Sequence, residues 1–136
     1  MMFAIKAEVS DPSAETFAFS KQKTMYGGKR IAGGDTIFVF ASENEGGLGL
    51  LARGIVTSAE AVPKKRGIAR QTPRLNITIR RTALAKRRLG RSELRLFSKW
   101  NDGRPETELN FKLYRQATNE IAGISDEAAA FLRGFF

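Results

Sequence analysis

The chain has no cysteine and no histidine among its 136 residues. The lack of cysteine excludes disulfides, thiolate zinc sites and a cysteine nucleophile, and it suits a reducing cytosol, so a cytoplasmic location is expected. The lack of histidine removes the commonest general base and the commonest metal ligand. Ser-His-Asp and Cys-His mechanisms are therefore impossible within this chain. No metal and no cofactor are expected. No apolar run approaches the ~20 residues needed to span a bilayer, so no membrane partner is expected either. The opening segment, Met1 to Glu8, carries Lys6 and Glu8 and has no small-residue cleavage site, so a secretory signal is not expected.

Acid is scarce where base is dense. Residues 64–99 hold thirteen of the twenty-three Lys and Arg residues and one of the fourteen acids, Glu93. The other hundred residues carry ten bases and thirteen acids. A block this one-sided makes a positive field that attracts a polyanion, whereas an ordinary solvated face interleaves both signs. Pro, Gly and apolar residues interrupt the block, which marks it as part of a fold and not a basic tail. Nucleic acid, RNA or DNA, is the expected partner. Lys64, Lys65, Arg66, Arg70, Arg74, Arg80, Lys86, Arg87, Arg88, Arg91 and Arg95 make the footprint, with Lys29 and Arg30 added from an earlier Gly-rich loop. Such residues mostly touch phosphate and position the ligand without reading its sequence.

The length suits one domain, residues 1–136, and the 42% hydrophobic content with ten Phe residues supports a packed core. Phe3 to Glu8 reads as a first strand with Phe3 and Ile5 on one face, Lys6 and Glu8 on the other. Ala14 to Thr24 is ambiguous. Gly33-Gly34-Asp35 turns into a continuously apolar strand, Thr36 to Ala41, of the kind covered on both faces. Leu48 to Val62 reads as a long strand bent or bulged at Arg53-Gly54, antiparallel to its predecessor. Leu75, Ile77 and Ile79 alternate with Arg74, Asn76, Thr78 and Arg80 as a half-buried strand. Thr82 is a candidate cap for a helix through Leu89, and Ser92 starts a second turn through Phe97. Asn101 to Pro105 is turn chemistry. Leu109 to Tyr114 reads as a further strand, and Ser125 caps a helix through Leu132. The expected class is α+β, built on a small mixed sheet or barrel. The Gly-rich stretches at 26–34 and 46–49 lack the Gly-Lys-Ser/Thr spacing of a phosphate loop and read as turns.

Three segments together resemble the PUA-like superfamily, in its EVE, ASCH and YTH-type branches: Phe3-Ala4-Ile5-Lys6, Gly34-Asp35-Thr36-Ile37-Phe38-Val39-Phe40-Ala41-Ser42, and Leu51-Ala52-Arg53-Gly54-Ile55-Val56. The resemblance covers roughly the first sixty residues. It implies a PUA-like curved mixed β-barrel with short peripheral helices, a C-terminal helix and a cleft that accepts RNA or a modified base. EVE members place a Trp-Asp-Gly-Val-Arg-Asn-like stretch before the Gly-Asp turn, where this chain has Tyr26-Gly27-Gly28-Lys29-Arg30. Their Tyr-His-Ser-like strand end is Phe40-Ala41-Ser42 here, without the histidine. Lys23-Thr24 resembles an ASCH segment without its following acid, so no ASCH catalytic role is carried across.

The resemblance implies a pocket for a modified or unstacked base, bounded by Lys6, Tyr26, Ser42, Glu43 and Arg53, with Trp100 as a further wall. Aromatic rings stack extruded bases, and polar strand ends bond their edges. Trp100 reads equally as a core anchor after Leu94 and Phe97. The expected function is a nucleic-acid-binding domain with this pocket beside a basic face, and no residue is assigned as catalytic. Two alternatives stay open: a small enzyme acting on a nucleotide or modified nucleoside, with Glu8 or Glu43 as base, and an interaction module for an acidic protein partner.

Overall fold

The apolar run at 37–41 exists because one strand has to serve two cores. The computed structural model describes residues 2–116 and 118–136. Six strands, β1 (Met2–Ala7), β2 (Thr16–Met25), β3 (Thr36–Ala41), β4 (Gly49–Ala61), β5 (Arg74–Leu84) and β6 (Glu120–Ile124), close into a barrel in the order β1-β3-β4-β5-β2-β6. The pairs β1/β3 and β2/β6 are parallel, and the other four are antiparallel. Alternate residues point inward. Phe3, Ile5, Phe17, Phe19, Ile37, Val39, Val56, Leu75, Ile77, Ile79 and Ile121 fill the interior. The outer faces of β1, β3 and β6 form a second core, in which Ala4, Phe38, Phe40, Ala122 and Ile124 pack under Leu94, Leu109, Leu113, Leu132 and Phe135. On β2 and β5 the outer face stays largely in solvent, so those strands alternate while β3 does not.

The covering layer is α1 (Arg91–Leu94), α2 (Pro105–Leu109) and α3 (Asp126–Arg133). The Ser125 Oγ accepts the Ala128 N–H at 3.1 Å, the expected cap of α3. In α1, the Glu93 carboxylate accepts the Gly90 N–H at 2.8 Å. Among the described residues no helix is long and apolar enough to cross a membrane.

Tertiary pairing overrides two local readings and adds a strand that local pattern did not mark. No helix covers Thr82 to Leu89: Ala83 and Leu84 continue β5 against Arg53 and Ala52, and the Thr82 hydroxyl donates to the Arg53 carbonyl instead of capping. The Leu109–Tyr114 segment is not a strand. Pro105 opens α2, and residues 110–114 extend it as one wide turn in which the Arg115 N–H reaches back five residues to the Asn110 carbonyl at 2.9 Å. Leu109 and Leu113, four apart, both face the second core. The closing strand β6 was hidden in Glu120–Ile124, a short apolar stretch containing a glycine.

The long strand β4 is irregular where expected. Its register shifts between Arg53 and Gly54 and again between Val56 and Ser58. A Cβ on Gly54 would lie 2.6 Å from the Arg80 carbonyl oxygen, so only glycine fits the shift. The ambiguous 14–24 segment becomes β2, with a register shift around Lys21, whose φ is 51°.

Candidate nucleic-acid interface

The parallel strands β1 and β3 end side by side, and their polar ends meet. Lys6 sits on the outer face of β1, which α2 and its extension cover, so a lysine that alternation alone would place in solvent is fully buried. Its Nζ donates to the Leu113 carbonyl at 2.5 Å and lies 4.9 Å from the centre of the Tyr114 ring. Ser42 follows β3, and its N–H donates to the Ala7 carbonyl at 2.8 Å. The Ser42 hydroxyl is buried and has no hydrogen-bond partner among the described residues. Glu43 ties the corner together: one carboxylate oxygen accepts the Tyr114 hydroxyl at 3.0 Å, the other the Arg91 N–H at 2.7 Å. The Arg91 guanidinium donates to Asn44 Oδ1 at 2.9 Å.

Glu120 of β6 pairs with Lys6 on one side and Lys23 on the other, and it too is buried. Burial pushes its carboxyl above the usual range against the pull of Lys23, Lys6 and the Thr118 hydroxyl. Burial, and then Arg91, hold the Lys6 amine below its usual range against Glu120, Glu43 and Glu45. Burial and the Glu43 carboxylate push the Tyr114 phenol far up, so it is a hydrogen-bond donor at neutral pH. This corner can offer a ligand edge a free hydroxyl and a buried ammonium.

The other predicted pocket residues lie elsewhere. Tyr26 follows β2 in the left-handed region, φ 54°, with its ring 6.1 Å from Phe111 and the Lys112 Nζ 5.4 Å above it. Trp100, 47% exposed, stands edge-on to the same Phe111 at 5.4 Å. Arg53 is on β4 beneath the C-terminus, its guanidinium 5.4 Å from the Phe136 ring. Lys6, Ser42 and Glu43 therefore meet, Tyr26 and Trp100 share a separate aromatic row, and Arg53 faces a third place.

The basic block is divided by the strand that carries part of it. Arg74 and Leu84 are the ends of the eleven-residue β5, about 30 Å apart at the usual strand rise. At the Arg74 end lies an open groove of 740 Å³ whose charged lining is entirely cationic: Lys21, Lys29, Lys64, Lys65 and Arg74. Gln71 braces its loop, accepting the Lys65 N–H at 3.0 Å and donating to the Lys65 and Ile68 carbonyls at 2.8 and 3.2 Å. Arg66 and Arg70 extend from the same loop, and Arg30 follows Lys29; all three are exposed. Arg80 is exposed midway along β5. Lys86, Arg87 and Arg88 occupy the far end, where Arg87 donates to the Gly134 carbonyl at 2.7 Å and stacks 4.4 Å from Phe135.

Sequence reasoning missed Tyr114, Glu120, Phe111 and Lys21. Tyr114 and Phe111 were hidden by reading their segment as a strand. The four-residue Leu109/Leu113 spacing was the available signal. Among the described residues no group of three acidic side chains could hold a metal ion.

No family model matches the sequence, and no curated protein does. Solved structures do match over nearly the full chain. The DUF55 domain of human thymocyte nuclear protein 1 is similar at a TM-score of 0.66 and 12% identity, covering 98% of this chain and 97% of that one. The human THYN1 protein in complex with 5-methylcytosine containing DNA is similar at a TM-score of 0.63 and 12% identity, covering 98% and 95%. A Pseudomonas syringae protein matches at 0.62 and 14%, covering all of both chains. Identities this low speak for architecture alone. The closed mixed barrel with its helical cover, and the likeness to these structures over nearly the full chain, match the PUA-like barrel architecture expected above.

Proposed function

We propose that this domain binds nucleic acid, holding phosphates in the groove between Lys21, Lys29, Lys64, Lys65 and Arg74 and admitting an unstacked, modified base to the corner at Lys6 and Ser42. The groove carries the reading: five cations converge on a concave surface with no acidic residue in its lining. Carboxylates interleave with cations on a merely soluble face, and a polyanion is what the groove's one-sided field attracts. The buried Ser42 hydroxyl supports the base site, because an unpaired polar group in a core is costly and gains from a ligand partner. The fold is also that of a structure holding 5-methylcytosine containing DNA, which makes a methylated cytosine the first ligand to test.

Labelled oligonucleotides, DNA and RNA, with and without 5-methylcytosine, titrated at several salt concentrations, test this. Five phosphate contacts give a slope of log K against log salt of about −3.5 to −4.5. Ser42→Ala is expected to narrow the preference for the modified strand and to leave the slope unchanged. Affinity that does not vary with salt rules out the groove, and equal affinity for modified and plain strands rules out the base site.

A further inference from the structure

We propose that Trp100 is a second stacking site, taking an unpaired base next to the groove-bound strand, so that the ligand is single-stranded on that side. This rests on the nucleic-acid reading above and adds to it the class of strand.

Tyr26, Phe111 and Trp100 form one row, with steps of 6.1 and 5.4 Å between ring centres. Cations already occupy the first two: Lys112 lies 5.4 Å from the Tyr26 ring centre and Arg115 3.9 Å from that of Phe111. Trp100 is the open end, 47% exposed over a 210 Å³ hollow that it lines with Phe111, Arg104 and Gly103. A large indole left half in water costs apolar hydration that a flat ring would relieve.

Tyr26, at one end of the row, is three residues before Lys29, which lines the groove, so the chain itself leads from the groove to the row. A strand leaving the groove at Lys29 thus meets aromatic rings next. Two carboxylates at the hollow, Asp102 beside it and Glu108 in its lining, are already engaged. Asp102 accepts the Arg104 N–H at 3.0 Å and the Thr107 hydroxyl at 3.0 Å. Glu108 pairs with Lys112 at 3.1 Å and accepts from Ser125. Arg104, which lines the hollow, remains to face a phosphate or a base plane. Aromatic platforms flanked by arginine hold single strands without sequence preference, whereas a stacked duplex keeps its base faces hidden.

Trp100 is the chain's single tryptophan, so its emission reports this site alone. The experiment titrates a 12-nucleotide single strand, and the same sequence as a blunt duplex, by fluorescence and by anisotropy of a labelled end. The expected result is quenching of Trp100 by the single strand in step with anisotropy. Trp100→Ala should weaken single-strand binding about 5- to 150-fold, with duplex affinity changed less than twofold, while Trp100→Phe retains most of the affinity. Melting curves of the two variants identify any loss that comes from unfolding. Anisotropy showing salt-dependent binding with no quenching and no effect of Trp100→Ala overturns the stacking site and leaves the groove standing. No binding of any oligonucleotide overturns both.

Discussion

Lys6 and Tyr114 meet inside the protein, the ammonium 4.9 Å from the ring centre, with no carboxylate within ion-pair distance of that ammonium among the described residues. The charge is held by the Leu113 carbonyl, the ring face and the more distant Glu120. Removing one charge leaves the other less compensated, whereas removing both leaves an uncharged seam. Lys6→Met alone is expected to cost roughly 1–3 kcal/mol, and the Lys6→Met/Glu120→Gln double variant less than the sum of the two single changes. Urea melts of the four proteins check this, and simple additivity would show the two groups to be independent.

Tyr114→Phe removes the bond to Glu43 and leaves that partly buried carboxylate one donor short. The expected loss is about 1–3 kcal/mol in thermal or chemical unfolding. An unchanged melting temperature would mean that Glu43 is satisfied by Arg91 and solvent alone.

Phe38 and Phe40 are both completely buried in the core between barrel and helices. Either one changed to Ala should cost about 3–5 kcal/mol. Stability unaffected by both changes would mean that the helical layer does not pack on β3.

The divided basic block gives two variants with different outcomes. Lys64→Ala/Lys65→Ala/Arg74→Ala strips the groove and should flatten the salt slope by about 0.7–0.9 per lost contact, weakening all sequences alike. Lys86→Ala/Arg87→Ala/Arg88→Ala should lower the melting temperature through the lost Arg87 contacts with Gly134 and Phe135 and flatten the slope less. The reverse order would move the phosphate track to the C-terminal end of β5.

Two glutamates should act on stability with opposite sign. Burial pushes Glu108 up, but the Ser125 side chain and N–H and the Lys112 ammonium outweigh it, so the carboxyl lies below its usual range. Its contribution is present above about pH 4.5 and lost as pH falls through the folded value. Glu120 lies above its usual range, so its contribution is present below that pH and lost as pH rises through its folded value. Relative to wild type, Glu108→Gln should therefore be less stable at neutral pH with the difference closing in acid. Glu120→Gln should gain relative stability as the pH rises from acid. Parallel pH profiles for wild type and both variants would remove these assignments.

Local pattern alone determined much of this protein. The alternation of Leu75, Ile77 and Ile79 marked a strand with one wet face, and the unbroken run at 37–40 marked one with two dry faces, because side chains alternate about a strand whatever its neighbours. The Gly54 irregularity, the Ser125 cap and the asymmetry of charge were legible for the same reason: each depends on residues close in sequence. Tertiary structure decided what depends on distant pairing. It buried Lys6 by laying residues 110–114 over a strand more than a hundred positions earlier, and it joined Glu43 to Tyr114. It separated Tyr26 and Arg53 from that corner, and it divided one basic stretch between the two ends of an eleven-residue strand. Closing a barrel fixes which strand ends meet, and no periodicity within a segment encodes that choice.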